Sequence, residues 1–398
     1  MRVSGLAAFA LAWIVAVVPV PAGAEECSSA VIAGAAGVDG RPILWKNRDT
    51  EHLSNKVVFV ADVPHSYLGL VDTEDASGRR VYVGLNDAGF AIMNTVAYNL
   101  PAAPGEAADL EGTIMADALR LCVTVGDFEE YIRENVGPGL GSQANFGVID
   151  AAGGAAVFEV HNKGCERLDV AASPERYLLV TNFSWSGAEH AGRGYARFDR
   201  LTELFHGDED GKFSFNQILG DFARDMHNPY LPGIEPSRRS KAAAGRRPLI
   251  YTQHSIDRGS TAAAAVIHGA AAGADPRGST MWVILGEPVC GIAVPLWVET
   301  GEVPPELGGA DAAPINQESM RLKGILRPYR DDERIEYADP AKLESGDGSG
   351  WLRVIVSKEK EIIDRTNRFL ATNPDKAAKA KFQRQIASEV LDTLKGIK

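Results

Sequence analysis

Residues 27–49 read CSSAVIAGAAGVDGRPILWKNRD, and this pattern predicts a β-hairpin. Residues 27–33 are small or β-branched, residues 37–40 (Gly-Val-Asp-Gly) are a turn signal, and residues 43–45 resume an apolar run. With the turn centred on residues 38 and 39, Cys27 lies opposite residue 49 or 50. Cross-strand neighbours have Cβ atoms about 5 Å apart, so we expect Asp49 beside Cys27. Cys27 is then the first residue of the first strand, and Asp49 is the last residue of the second strand.

The first 24 residues have the features of an export signal. Arg2 supplies a positive start, residues 6–18 are apolar, and residues 22–24 (Ala-Gly-Ala) suit a cleavage site. The apolar run is shorter than the roughly 20 residues of a membrane-spanning helix, so we expect cleavage and not an anchor. Two glutamates, residues 25–26, then form a short propeptide. We expect a secreted or periplasmic protein with no stable membrane insertion.

The composition excludes several classes of function. The 398 residues include 41 Lys and Arg against 53 Asp and Glu, a net charge of -12, whereas nucleic-acid binders need a basic surface. Four cysteines without CxxC spacing indicate neither a disulfide framework nor a zinc site. The sequence also lacks GxGxxG, P-loop, HExxH and GxSxG motifs. We therefore expect no nucleic-acid partner, no metal and no other cofactor.

Strand and helix signals alternate over the rest of the chain. A second hairpin is predicted by residues 146–149 and 155–160 around a turn at residues 150–154. Further strands are predicted at residues 56–61, 80–85, 90–95, 177–181, 262–268 and 281–285, and helices at residues 114–132, 198–205 and 215–226. Meander-like strands with helices between them predict stacked α and β layers. We expect one main domain over residues 27–310.

Residues 311–398 differ in composition from this domain. Apolar residues at helical spacing around Ile362 and Phe369, and again from Ile386 to Leu394, predict two surface helices. We expect a C-terminal helical extension packed on the core. The open alternative is an arm for partner binding or for assembly of a homo-oligomer.

Cys27 is the residue whose position suggests chemistry. Removal of the two glutamates makes it the amino terminus, and an α-amino group with a pKa of about 7.7–8.0 can take the proton of the thiol. No catalytic histidine is then required. The residues alone leave two alternatives open: an inert terminal cysteine, or a half-cystine paired with Cys122, Cys165 or Cys290.

The same stretch resembles the start of N-terminal nucleophile (Ntn) hydrolases. Cys27-Ser28-Ser29 followed by residues 40–49 (GRPILWKNRD) is similar to the acyl-coenzyme A:6-aminopenicillanic acid acyltransferase family and, more distantly, to choloylglycine hydrolases. The family's Arg-Asn-x-Asp segment is Lys-Asn-Arg-Asp here. Four further blocks follow in the family's order: residues 84–94 (GLNDAGFAIMN), 181–182 (TN), 257–261 (DRGST) and 285–288 (LGEP).

The resemblance implies an α+β fold, the four-layer αββα sandwich of two antiparallel sheets between helical layers. It also implies roles for individual residues. Cys27 is the nucleophile, Asp49 orients the amino terminus, Asn182 and Asn94 donate to the oxyanion, and Arg258 stabilises the thiolate or a substrate carboxylate. Lys46 stands where the family has Arg; the predicted hairpin places it near Cys27, where its charge would favour the thiolate or bind substrate.

Together these observations predict an exported, self-processing hydrolase. It would cleave a linear, non-peptide C–N amide bond, or transfer the acyl group, through an acyl-enzyme on Cys27. The expected partner is a small-molecule amide or acyl substrate. The alternative is an exported binding protein that has the same fold and no catalytic activity.

Overall fold

The computed structural model describes residues 26–75, 77–207, 210–231, 249–309, 312–329, 334–344 and 350–398. The predicted export signal and Glu25 lie outside the described residues. Most of the described strands belong to two large antiparallel sheets. Each sheet is built largely from strands that are buried along most of their length.

The first sheet has six strands and begins with the predicted hairpin. Its order is β10-β1-β2-β12-β13-β14. The strands are β1 (Glu26–Ile32), β2 (Ile43–Asp49), β10 (Tyr177–Val180), β12 (Thr261–His268), β13 (Thr280–Leu285) and β14 (Val294–Leu296). Strand β2 is central, because β1 and β12 pair with its two edges. The predicted hairpin of residues 27–49 is therefore confirmed.

The second sheet has seven strands in sequence order, from β3 to β9. They are β3 (Asn55–Val60), β4 (Tyr67–Asp72), β5 (Val83–Asn86), β6 (Ala91–Val96), β7 (Gln143–Ile149), β8 (Ala155–His161) and β9 (Gly164–Asp169). The predicted second hairpin is the β7–β8 pair. Strands β4, β9 and β14 were not predicted. A separate short pair joins β11 (Ile250–Tyr251) to β15 (Tyr337–Ala338).

The two sheets pack face to face through β1 and β2 on one side and β6 and β7 on the other. Gly147 lies at this contact, where a Cβ atom would meet the side chains of Met93, Val31 and Leu44. Helices α1 (Glu111–Leu121) and α2 (Val125–Asn135) cover the outer face of the seven-stranded sheet. The described chain thus forms helix, sheet, sheet and helix layers, and the predicted four-layer αββα sandwich is confirmed.

The outer face of the six-stranded sheet is covered by helices from two parts of the chain. These are α3 (Tyr195–His206), α4 (Phe215–Gly220), α5 (Pro314–Leu326), α6 (Pro340–Leu343), α7 (Leu352–Leu370) and α8 (Lys376–Gly396). Apolar residues of α5, α7 and α8 belong to the same hydrophobic core as β12 and β13. Buried ion pairs add to this contact, between Arg327 and Glu287 (2.6 Å) and between Arg224 and Glu359 (2.7 Å). The described helices of residues 312–329, 334–344 and 350–398 therefore contribute to the outer helical layer.

Two of the predicted helices are shorter than expected. Residues 114–132 form two helices instead of one. The first ends at Leu121, and the second begins after Thr124, which caps α2 in a capping box with Asp127. Leu121, expected on the buried face, is consequently 40% exposed. The helix predicted at residues 215–226 ends at Gly220 and continues as a single 3-10 turn. Described 3-10 turns are Gly34–Ala36, Val170–Ala172, Phe222–Arg224, Pro276–Gly278, Pro288–Cys290, Val298–Thr300 and Arg334–Glu336.

Candidate active site

Cys27 is buried at the start of β1, and its cross-strand partner is Arg48. Asp49 pairs instead with Glu26, so the register predicted from the turn is wrong. The connection between Ile32 and Ile43 contains a 3-10 turn, and its midpoint lies about one residue earlier than predicted. Because side chains alternate along a strand, Cys27 and Asp49 project to opposite faces of the sheet.

The face that carries Cys27 looks toward the seven-stranded sheet, and it also carries Lys46 and Arg48. The Lys46 ammonium donates to the backbone oxygen and the side-chain Oδ1 of Asn94, both at 2.7 Å. Arg48 stacks on the ring of Tyr82 at 3.5 Å from its centroid. Two predicted site residues, Lys46 and Asn94, are thus joined directly. With its oxygen occupied by a cation, the Asn94 amide presents its Nδ2 group as the donor.

The opposite face carries a buried cluster of charges around Glu26. The Glu26 carboxylate accepts from Arg197 at 2.9 Å and from Arg258 at 3.0 Å. Arg258 also donates to Asp49 at 2.8 Å, and Asp49 accepts from the hydroxyl of Thr261 at 2.7 Å. Two more of the predicted site residues, Asp49 and Arg258, therefore lie together in the structure as an ion pair, and Asp49 is the cross-strand partner of Glu26, the residue before Cys27.

Asn182 holds the backbone nitrogen of Cys27. The Cys27 N–H donates to Asn182 Oδ1 at 2.9 Å, and Arg197 donates to the same oxygen at 2.8 Å. The Asn182 Nδ2 group donates to the backbone oxygen of Val96 at 2.9 Å. Cys27 N–H and Arg197 donate to one terminal atom of the Asn182 side chain, and Val96 O accepts from the other. These partners identify the first atom as oxygen and the second as nitrogen. In this arrangement Asn182 is an acceptor for the nitrogen of Cys27, whereas the sequence resemblance implied an oxyanion donor.

Arg197 is the site residue that the sequence analysis missed. Its guanidinium donates to the backbone oxygen of Cys27 and, at 3.0 Å, to the hydroxyl of Ser28, and the residue is only 1% exposed. The sequence contained an indication that Arg197 is buried. Arg197 lies at helical spacing with Leu201 and Leu204, on the apolar face of α3. A charged residue in that position indicates a buried anionic or polar partner.

Two pKa values in the cluster are strongly shifted. Burial alone would raise the pKa of Glu26, but the charges of Arg258 and Arg197 lower it to about 2. Burial alone would lower the pKa of Arg258, but the carboxylates of Asp49 and Glu26 raise it. Both groups are therefore charged at neutral pH, and the cluster holds Glu26 as a carboxylate.

None of the four cysteines, all of which lie in the described residues, forms a disulfide bond. Burial raises the pKa of the Cys122 thiol to about 12 and that of Cys290 well above its ordinary value. Cys122 and Cys290 are packed in the two different hydrophobic clusters. None of the three other cysteines shares the position of Cys27, at a strand start beside buried arginines and a buried asparagine.

The described residues contain neither a cluster of metal ligands nor a membrane-spanning helix. No group of three or more His, Cys, Asp and Glu side chains in the described ranges is arranged to hold a metal ion. Among the same residues, no helix combines the length and the apolar character needed to cross a membrane.

The chain is similar to several solved structures. A conjugated bile acid hydrolase from Clostridium perfringens is 12% identical, with a TM-score of 0.38 over 65% of this chain and 89% of that one. A penicillin V acylase from Agrobacterium tumefaciens is 11% identical, with a TM-score of 0.34 over 68% of this chain and 86% of that one. An N-acylethanolamine-hydrolyzing acid amidase ortholog from Caenorhabditis elegans is 16% identical, with a TM-score of 0.32 over 46% of this chain and 83% of that one. No family model and no curated protein matches the sequence.

Proposed function

We propose that this protein is an exported, self-processing amidohydrolase whose nucleophile is Cys27. The observation that carries the proposal is the way the backbone at Cys27 is held. Its nitrogen donates to Asn182, its carbonyl oxygen accepts from Arg197, and the preceding Glu26 carboxylate is held by two arginines. The peptide bond between Glu26 and Cys27 is thus fixed on both sides beside a thiol.

Processing would begin with attack of the Cys27 sulfur on the Glu26 carbonyl carbon. A C–S bond forms, the C–N bond breaks, and the thiol proton passes to the released amine. Water then hydrolyses the thioester. The new α-amino group remains within reach of Asn182 Oδ1, which already accepts from that nitrogen at 2.9 Å. Cys27 thereby acquires a general base from its own backbone.

The mature enzyme would repeat the same steps on an external amide. The amine of Cys27 accepts the thiol proton, the sulfur attacks the substrate carbonyl, and the proton is delivered to the leaving amine. Asn94 presents Nδ2 as an oxyanion donor because Lys46 occupies its oxygen. Removing one oxyanion donor typically costs about 2.7 to 4 kcal/mol of barrier. Asp49 would act by holding Arg258, as a positioning residue.

The substrate we propose is a small molecule with a linear, non-peptide amide bond. Transfer of the acyl group to an amine is the same chemistry with a different acceptor. The site as described lacks a metal-binding cluster, and the proposed steps call for no cofactor. We propose a secreted or periplasmic location from the export signal at residues 1–24.

Mass spectrometry of the secreted protein tests the proposal. We expect the wild-type chain to begin at Cys27 and the Cys27→Ala chain to retain Glu25 and Glu26. Cys165→Ala is the matched control, since Cys165 is partly exposed and lies far along the chain, on β9. It should be processed and active like the wild type.

Activity is measured on a panel of acyl 4-nitroanilides. Cys27→Ala should lose at least 10³-fold in kcat/KM, because the nucleophile is absent. A wild-type chain that keeps Glu25 and is still active would refute self-processing. Unchanged activity in Cys27→Ala would refute the nucleophile. A fully processed chain that hydrolyses none of the amides would favour the binding-protein alternative.

A further inference from the structure

Two arginines hold the carboxylate of Glu26, a residue that the proposed processing removes, and the charge of a third also acts on it. Arg197 and Arg258 donate to one of its oxygens at 2.9 and 3.0 Å. Arg193 adds a third positive charge that lowers the pKa of Glu26. The Glu26 side chain is 20% exposed, whereas those of Arg197 and Arg258 are 2% and 8% exposed. A carboxylate therefore sits at the open end of a largely buried cationic site.

Removal of Glu26 would leave this site with an excess of positive charge. Without Glu26, Arg258 would still form its ion pair with Asp49 and interact electrostatically with the Glu336 carboxylate. The other hydrogen bonds described for Arg197 go to neutral oxygen atoms of Cys27, Ser28 and Asn182. Arg193 stacks on Tyr98 at 4.2 Å, and its buried Nη1 atom meets no acceptor in the described chain. Three arginines would then face two carboxylates, and the buried guanidinium groups would attract an anion.

The proposed processing reaction indicates how far such an anionic group would lie from the carbonyl carbon of a substrate. In the proposed thioester, Glu26 is the acyl group on the Cys27 sulfur. Three carbons separate its carbonyl from its side-chain carboxylate, the same spacing as in a glutaryl group. An external acyl group with a carboxylate at that distance would place its charge between the same arginines.

We infer that the processed enzyme acts on amides of acidic acyl groups with glutaryl-like spacing, and that Arg193, Arg197 and Arg258 bind the terminal carboxylate. This inference rests on the proposed function. In the reaction a thioester forms between the glutaryl carbon and the Cys27 sulfur while the C–N bond breaks. The thiol proton leaves with the amine, and water then releases glutarate and restores the thiol.

A matched pair of substrates tests the inference. Glutaryl-4-nitroanilide and glutaramoyl-4-nitroanilide differ only in the charge of the terminal group. We expect wild-type kcat/KM to be at least tenfold higher for the glutaryl compound, because its charge is held by buried arginines. Arg197→Gln and Arg193→Gln should each reduce that ratio toward one. Arg200→Gln is the control and should keep the ratio, because Arg200 lies on the same helix as Arg197 but is paired with Asp225.

Calorimetry separates failure of the inference from failure of the proposed function. Glutarate and neutral glutaramide are titrated into the chain that begins at Cys27, and we expect glutarate alone to bind. Equal cleavage of both anilides would overturn the inference and leave the proposed function standing. If neither anilide is cleaved while another acyl 4-nitroanilide of the panel is, the inference fails and the proposed function stands. If no amide of the panel is cleaved, the proposed activity fails. Glutarate binding that Arg193→Gln weakens would then uphold the anion site, and absence of binding would overturn it as well.

Discussion

Substitution of Glu26 in the unprocessed chain tests how much the buried charge cluster contributes to stability. On the proposed mechanism a Cys27→Ala chain retains the predicted propeptide, so we expect the contacts of Glu26 with Arg197 and Arg258 to persist. Glu26→Gln in that chain removes the negative charge and keeps the shape of the side chain. We expect the double variant to be less stable than Cys27→Ala alone, because two buried arginines lose a charged partner.

The magnitude follows from the pKa of Glu26. Lowering it from its ordinary value of 4.5 to about 2 corresponds to about 3 kcal/mol, at roughly 1.4 kcal/mol for each pH unit. The folded-state pKa lies below the unfolded one, so this stabilisation is present above pH 4.5. It is lost as the pH falls from 4.5 toward 2, and roughly half should remain at pH 3.

Urea unfolding of the two chains at several pH values measures the difference. We expect about 3 kcal/mol at pH 7 and a steady decrease below pH 4.5. Glu51→Gln in the same chain is the control, since Glu51 is exposed and should change stability by less than about 0.5 kcal/mol. Equal stabilities at pH 7, or a difference that stays constant down to pH 3, would refute the reasoning.

Three further predictions concern the fold. Thr124→Ala removes the capping box of α2 and should cost about 1 kcal/mol in urea unfolding, whereas Thr113→Ala, exposed within α1, should cost less than half as much. Arg327→Gln leaves Glu287 buried without its nearest cation and should lower the free energy of unfolding by about 3 to 5 kcal/mol. A decrease of less than about 1 kcal/mol would show that this ion pair does not stabilise the fold. Cys122 should resist iodoacetamide at pH 8 in the folded protein, because burial raises its pKa to about 12, and should react after unfolding; rapid labelling of the folded chain would disprove its burial.

Local patterns were sufficient for most of the strands. The apolar runs at residues 27–33 and 43–45 and the turn between them predicted the central hairpin, and the second hairpin followed in the same way. The alanine-rich strand β12 was also predicted, although alanine is a poor strand former, since it continues into Val266 and Ile267. The strands that were missed include β9, which is largely exposed or half-buried and has little apolar pattern.

The site was only partly predictable, because its geometry depends on register and on long-range contacts. A turn position wrong by about one residue moved Asp49 to the face opposite Cys27. Arg197 and Asn182 reach Cys27 from far along the chain, and no local pattern specifies such a meeting. The orientation of the Asn182 amide follows from its partners in three dimensions.

The sequence by itself determined the layered fold and singled out Cys27, because periodicity, turn residues and the pattern of the predicted export signal are local properties of the chain. Only the tertiary structure decided which charges surround that cysteine. It placed Glu26 between Arg197 and Arg258, where burial makes an unpaired charge costly and hydrogen bonds determine each partner. The fold arises from many local preferences that agree, whereas the site consists of a few contacts between distant residues.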